Sequence, residues 1–431
     1  MGVGEFLDLK AMIDWCVKSG FKLLQLLPIT DTVSHVPATP QDSYPYSSIS
    51  VYALHPQYLR LSDVEGLSAG LKAEIEKKVK AFNDPHYYRE KQWDADLHIE
   101  LNNPVDFPAM MNSKNDLLHK MFAEAGAKTF QTQDYKDFFA KAEFWLRPYG
   151  LFCYFRDLFG TANPDQWGSL GTGQVWEEKL LKLTSEDSDF YKGVSFYYYV
   201  QYLLHSQLLE VSQYAAEKGV VLKGDLPIGI DHDSVDAWYT PHLFNMHKKT
   251  GAPPDDYAEM GQNWGFPTYN WDKMAQDGYS WWRQRLGWMA NYFQAYRIDH
   301  ILGFFRIWEM PASATGGLLG KFSPSLPLTR DELRGQGLEN LIDRLCDPYI
   351  RQNVIEKYFG HDWGRVKDRY LDDVGGGVCA CVRLRVREHC ACVRVCVCVC
   401  VRVHTYLQLC VCVCVCVCVS VSVSVCVCVC V

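Results

Sequence analysis

Cysteine is scarce where this chain is most varied in composition. Only Cys16, Cys153 and Cys346 precede Val374. Three scattered thiols make no disulfide framework, so the body reads as cytosolic. The start, Met1-Gly-Val-Gly-Glu-Phe6, has neither the basic region nor the apolar run of a secretory signal, and Phe6 breaks the myristoylation pattern. Several catalytic signatures are missing as well. Gly171-Thr-Gly-Gln-Val-Trp176 fails as a dinucleotide fingerprint at its last position, and there is no Walker loop, His-Glu-x-x-His, Gly-x-Ser-x-Gly or, in the body, Cys-x-x-Cys. Positive charge is in deficit. Of the 43 basic and 51 acidic residues, five Arg and one Glu fall after Asp373, leaving 38 against 50. A net of −12 over residues 1–373 argues against nucleic acid or an anionic membrane as the main partner and is compatible with a neutral substrate.

What the chain has in quantity is aromatic residues, 14% of 431. Trp and Tyr can stack on sugar rings, but filling a core is their commoner use. The other abundance is confined to the tail, residues 374–431, which carries fifteen of the 18 cysteines, mostly in Val-Cys alternation. Alternation places each Cys on one strand face, as a thiolate metal site would need. The uncharged run Thr405–Val431 is long enough to span a bilayer. A third reading is translated repeat DNA: GTG encodes Val and TGT encodes Cys, and single-base changes in TGT give the Arg and Ser that interrupt the run. This third reading explains the interruptions as well as the repeat, and the low complexity fits it.

The body alternates helices and strands. Leu9, Ile13, Cys16 and Val17 fall at helical spacing, with Gly20 as the stop. The apolar run Lys22–Pro28 predicts a buried parallel strand. Helices are expected over 64–82, 114–146, Phe190–Lys218 and Trp281–Phe293, and strands over Val220–Gly224 and Ala295–His300. Polar residues at strand C-termini are the pattern of a (β/α)8 barrel, although periodicity alone equally allows a doubly wound sheet. Acids at strand ends among aromatics are what retaining glycosyl transfer requires: one carboxylate attacks the anomeric carbon and a second acid protonates the leaving oxygen. Composition does not say which acids these are.

Four motifs narrow the choice. Leu27-Pro-Ile with Asp42-Ser-Tyr-Pro-Tyr-Ser-Ser-Ile-Ser50, Gly224-Asp-Leu-Pro-Ile228 with Asp233-Ser-Val-Asp-Ala-Trp238, Pro253-Pro-Asp with Gly261-Gln-Asn-Trp-Gly265, and Tyr296-Arg-Ile-Asp-His300 occur in that order. Together they resemble glycoside hydrolase family 77, the amylomaltases or disproportionating enzymes. Gly2–Lys10, Asp42–Tyr46 and Ala53-Leu-His-Pro56 are similar to its plant-type cytosolic subgroup. The resemblance implies an α/β fold, a (β/α)8 TIM barrel with inserted helical subdomains, of which about the first half is present in residues 1–311. Residues 312–373 look like the start of a subgroup insertion. It also implies 4-α-glucanotransferase activity on maltose, malto-oligosaccharides and glycogen-like or heteroglycan acceptors, with no cofactor, no metal, no nucleic acid and no membrane.

Carried over residue by residue, the resemblance makes Asp299 the nucleophile. Arg297 orients it and favours the ionised form that attack needs; a purely structural ion pair is the alternative. His300 would hydrogen-bond sugar hydroxyls near the cut. Tyr46 would stack under the sugar on the non-reducing side, and Asp225 would shape that sugar site. Asp255 and Trp264 sit in a substrate-covering loop, with Gly261, Gly265 and Pro267 allowing its shape. The pattern departs from the family after the nucleophile strand. No Ala-Glu-Asp-Leu-Gly-like stretch carries the acid/base Glu, Glu309 is not its replacement, and His361-Asp-Trp363 does not match the family's His-Asp-Asn. This chain is therefore expected neither to fold stably alone nor to transfer glucose, with a glucan-binding remnant or a non-functional gene-model fragment as the other readings.

Overall fold

The computed structural model describes residues 3–84, 105–171, 177–325, 328–342, 350–375 and 378–381, and the tail strands 392–403, 407–418 and 424–427. Cys346, residues 172–176 of the failed glycine motif and the rest of the tail lie outside the described residues. The chain forms two compact units. One comprises Met1–Asn245 with Tyr269–Ile301, the other Met246–Thr268 with Leu302–Val431.

The first unit is built on a three-stranded parallel sheet, in the order Leu23–Gln25, Val221–Leu226, Ala295–Ile298. Each strand follows a helix. Leu9–Ser19 buries Ile13 and Cys16 and ends at Gly20, whose φ of 80° only glycine adopts freely. The 27-residue helix Tyr191–Glu217 precedes the central strand, and Ser280–Met289 precedes the third. The first strand is parallel as the sequence predicts, but it is short and not buried: Leu23 and Leu27 are 47% and 59% exposed. The reason is topological, since among the described residues nothing pairs with its outer edge.

Two helix expectations shift for identifiable reasons. The expected 64–82 helix begins at Ala69, because Gly66 turns with φ 77° and the Ser68 hydroxyl caps the Leu71 N–H. The expected 114–146 helix is two helices, Phe107–Thr129 and Gln133–Phe159, split where Thr132 caps the Tyr135 N–H. Gln133–Phe159 and Tyr191–Glu217 pack on each other through aromatic side chains. Trp167, 1% exposed, meets Phe152, Phe155 and Trp238 edge-on at 5.0, 5.7 and 5.7 Å. Many of the aromatics are thus core.

The second unit holds a four-stranded antiparallel sheet, in the order Gln262–Asn263, Lys248–Ala252, Ile307–Pro311, Lys321–Ser323. Trp308 anchors it, packing edge-on against Phe322 at 5.1 Å and donating from Nε1 to the Gly317 carbonyl at 2.8 Å. Residues expected to start an insertion form a small cluster in which Phe359, Trp363, Val366 and Leu371 surround Ile355. In the tail, Cys392–Val403 pairs antiparallel with Leu407–Cys418, in a register that sets Cys opposite Cys at 392 with 418, 396 with 414, 398 with 412 and 400 with 410, while Arg394 faces Cys416. No helix among the described residues is long and apolar enough to cross a membrane.

Candidate active site

Strand register makes the first placement. In the parallel pair Val221–Leu226 and Ala295–Ile298, Asp225 lies beside Arg297. Side chains alternate along a strand, so Asp225, Arg297 and Asp299 share one face at the strand C-termini. The opposite face turns toward the helices. There a side chain on Gly224 would come within 2.6 Å of the Phe293 ring, which explains the glycine before Asp225.

Arg297 is the hub. One Nη1 donates to Asp225 Oδ2 at 2.9 Å and, at 3.5 Å, to the Tyr46 hydroxyl, while Nη2 donates to Asp299 Oδ1 at 3.4 Å. The Tyr46 hydroxyl itself donates to Asp225 Oδ2 at 2.9 Å. The two carboxylates differ in access. The Asp225 side chain is fully buried and the Asp299 side chain is 30% exposed. Asp225 Oδ1 is buried and carries no hydrogen bond. Asp225, followed by Tyr46, raises the pKa of the Arg297 guanidinium above its ordinary value. Burial and the bond to Asp225 raise the Tyr46 phenol, so that it keeps the proton it donates.

His300 follows Asp299 with φ 47°, a left-handed conformation uncommon for a residue with a Cβ and typical of constrained functional positions. The Asp299 N–H is fixed to the Leu226 carbonyl at 3.1 Å. Burial lowers the His300 pKa against the opposing pull of Asp299, so the ring is neutral at neutral pH and offers both a donor and an acceptor.

The loop that brings in Tyr46 is organised by Asp42, 1% exposed. Its Oδ1 accepts from the Ser34 N–H, the Ser34 hydroxyl and His35 Nδ1 at 2.8, 2.9 and 3.0 Å, and its Oδ2 from the Thr39 N–H and hydroxyl at 2.7 and 2.9 Å. Burial alone would raise the Asp42 pKa, but these donors outweigh it and hold the carboxyl below its ordinary value. Sequence reasoning quoted Asp42 as a motif letter without a role. The signal was there, in a Ser/Thr/Asp-rich stretch just upstream that offers local donors.

Asp255 and Trp264 belong to the second unit. Asp255 Oδ1 accepts the Tyr257 and Ala258 N–H groups at 2.9 and 2.7 Å, so it builds the turn of its loop. Trp264 Nε1 donates to Gln262 Oε1 at 2.9 Å, and its backbone N–H pairs with the Thr250 carbonyl. Gly261 and Gly265 have φ of 66° and 80°, which explains both glycines. The loop tip presents Tyr257, 99% exposed, an aromatic the sequence reading passed over. Glu309, 4% exposed, gives both oxygens to Lys248 Nζ at 2.8 and 3.0 Å, which fits its exclusion as a catalytic acid.

The chemistry available in the first unit is that of a guanidinium-held, partly exposed carboxylate beside a buried carboxylate and a phenol ring. Comparison with known proteins identifies the family. A family model described as 4-alpha-glucanotransferase, glycoside hydrolase family 77, matches residues 1–380. The 4-alpha-glucanotransferase DPE2 of Oryza sativa subsp. japonica is 48% identical over 373 residues, 86% of this chain and 37% of that protein. The 4-alpha-glucanotransferase of Chlamydia pneumoniae is 35% identical over 79% of this chain and 58% of its own length. The chain thus spans well under two thirds of either relative. The structure of Streptococcus agalactiae amylomaltase in complex with acarbose superposes with a TM-score of 0.58 at 25% identity, over 79% of this chain and 64% of that one.

Proposed function

Because this chain belongs to the 4-alpha-glucanotransferase family, glycoside hydrolase family 77, we propose that its site forms the nucleophile half of a retaining α-glucan transfer. Asp299 attacks the anomeric carbon of a donor glucan. The bond to the leaving glucosyl oxygen breaks, and that oxygen takes a proton from an acid. The 4-hydroxyl of an acceptor then attacks the same carbon, gives its proton to the conjugate base of that acid, and releases Asp299 as a carboxylate. Arg297 orients Asp299, Tyr46 stacks on the donor sugar, Asp225 fixes the Tyr46 and Arg297 end of that subsite, and His300 bonds sugar hydroxyls. Asp255 shapes the loop that carries Trp264, the side chain proposed to bind acceptor glucan. Maltose, malto-oligosaccharides and glycogen-like or heteroglycan acceptors are the substrates proposed, without metal or cofactor. The cytosol is the proposed compartment, supported by the free thiols of Cys16 and Cys153.

The observation that carries this reading is the Arg297 bridge between buried Asp225 and accessible Asp299, with Tyr46 closing the same face. The test separates the nucleophile from the acid. A 5-fluoro-α-glucosyl fluoride donor loses fluoride, which needs no protonation, so it should label Asp299 even where natural glucans turn over slowly. Peptide mass mapping should place the sugar on Asp299 and find none in Asp299→Asn. Label on another carboxylate, or none at all, sinks the assignment.

A glucan-binding remnant is the second reading. It is favoured by the state of the neighbouring carboxylates: Asp225 is buried under Arg297 and Tyr46, and Glu309 is bound to Lys248. Neither is poised to give a proton to a leaving oxygen. Maltotriose binding without redistribution to maltose and longer chains, and without label from the fluoride donor, would select it.

A further inference from the structure

The segment that carries Tyr46 and the segment that carries Asp225 are tied together a second time, away from the sugar face. The Asp231 N–H donates to the Ser48 carbonyl at 3.0 Å, the Val235 N–H to the Ile49 carbonyl at 2.8 Å, and the Val51 N–H to Asp236 Oδ2 at 3.1 Å. The first two ties are backbone to backbone. The third depends on one side chain, 6% exposed, whose other oxygen, Oδ1, accepts from Trp281 Nε1 at 3.0 Å. Behind it lies a small cleft of about 80 Å³, lined in part by Ser50, Tyr52, Trp145, Asp236 and Trp281. The loop is packed here as well, with Ile49 and Val51 0% and 1% exposed, and the Asp236 bond fixes the direction of a buried backbone N–H.

We propose that Asp236 is a positioning residue for the sugar site: it holds the Tyr46 loop against the Asp225 segment and so sets where the Tyr46 ring meets the sugar. This rests on the glucan reading of the site.

The chemistry requires a carboxylate. Two N–H donors approach from different directions, one to each oxygen, and an ionised carboxylate only accepts. An amide has one acceptor oxygen and would turn its NH2 on the second donor. Asp236→Asn therefore leaves the Val51 or the Trp281 N–H unmet, whereas Asp236→Glu keeps two acceptors at the cost of one methylene. The cation facing Asp236 is Arg285 on the Ser280–Met289 helix; the other titratable neighbours are Tyr52 and Tyr269. None of these supplies an acceptor carboxylate in its place.

Hydrogen exchange read by mass spectrometry on the full chain tests the hold, and calorimetry with maltotriose tests its consequence. Asp236→Asn should speed exchange across Tyr46–Val51 by about tenfold, leave Val221–Leu226 unchanged and weaken maltotriose by about tenfold, the size of one lost charge-assisted hydrogen bond. Asp236→Glu should restore most of both. If Asp236→Asn loosens the whole first unit, the double variant Trp281→Phe with Asp236→Asn decides. With one donor gone the amide can turn its oxygen to Val51, and protection there should return. Unchanged Val51 exchange in Asp236→Asn, or no recovery in the double variant, overturns the proposal. Failure of the unsubstituted chain to bind maltotriose would instead remove the glucan reading, while the exchange data still decide the hold.

Discussion

Each unit holds a carboxylate–cation pair on neighbouring strands, directly opposite in the first unit's parallel pair and diagonal in the second unit's antiparallel pair. In the first unit Arg297 sits against Asp225, and in the second Lys248 sits against Glu309. They differ in what is left over. Lys248 spends its ammonium on both oxygens of one carboxylate, and the pair is closed. Arg297 has a planar fork, so after meeting Asp225 it still reaches Asp299 and the Tyr46 hydroxyl. A closed pair holds strands together. A forked cation with one buried and one accessible carboxylate organises a site. The comparison teaches that an ion pair points to function through its unspent valence and access, and the presence of opposite charges is not enough.

Breaking the open pair should have the largest effect. Asp299→Asn should abolish fluoride-donor labelling and lower any transfer from maltotriose by roughly a thousandfold or more, since the attacking group itself is removed. Circular dichroism should stay unchanged, because the Asp299 side chain is 30% exposed and, among the described residues, makes one hydrogen bond, at 3.4 Å from Arg297.

The next effect concerns a third carboxylate, which is closed off by burial. Burial pushes the Asp236 pKa from 3.8 up to about 6, against the pull of Trp281, the Val51 N–H and Arg285. A raised folded pKa on an acid means that the native state keeps its proton while the unfolded chain has lost it. The stability contribution of Asp236 is therefore greatest below pH 4 and falls as pH rises toward 6, by about 3 kcal/mol. Urea midpoints of the first unit, followed between pH 4 and 7, should show this fall in the unsubstituted chain and a flatter profile in Asp236→Asn. Equal slopes in both would assign the pH dependence to other groups.

Breaking the closed pair should cost less. Lys248→Met leaves Glu309 buried without its cation, and because Lys248 is 32% exposed the penalty is reduced to about 1–2 kcal/mol. Exchange should quicken in Lys248–Ala252 and Ile307–Pro311 while the first unit stays protected. Lost protection at Asp225 would contradict the separation drawn between the pairs.

Tyr46→Phe should be the mildest. The ring that stacks remains, and only the hydroxyl donated to Asp225 is lost, so maltotriose affinity should fall by about fivefold. A thousandfold fall would mean that the phenol takes part in chemistry and that stacking is not its main role.

Much of the fold was legible because it follows from local chemistry. Gly20 stops a helix for want of a Cβ, and the strand Ala295–Ile298 reads as a strand ending in polar residues, whereas the caps at Ser68 and Thr132 emerged only in the folded chain. The 114–146 helix was misread because a cap inside a long apolar pattern is a weak signal beside the pattern itself. The motif residues of the first unit were legible as letters. What Asp42 and Asp236 do was not, since their partners Ser34, Thr39, Val51 and Trp281 are identified only by the folded path of the chain.

The sequence by itself determined the three strands of the parallel sheet and the helices before them, the order of the four motifs, the family they resemble and, through that resemblance, the proposal of Asp299. Each of these depends on residue type and spacing. The tertiary structure alone decided which carboxylates are spent. Asp225 and Arg297 are 72 positions apart and meet through a parallel register, Tyr46 and Asp225 are 179 apart and meet through a loop, and Glu309 is silenced by a lysine 61 residues away. Charge and burial act over distances of a few ångströms in space, and a linear sequence does not record which residues share them.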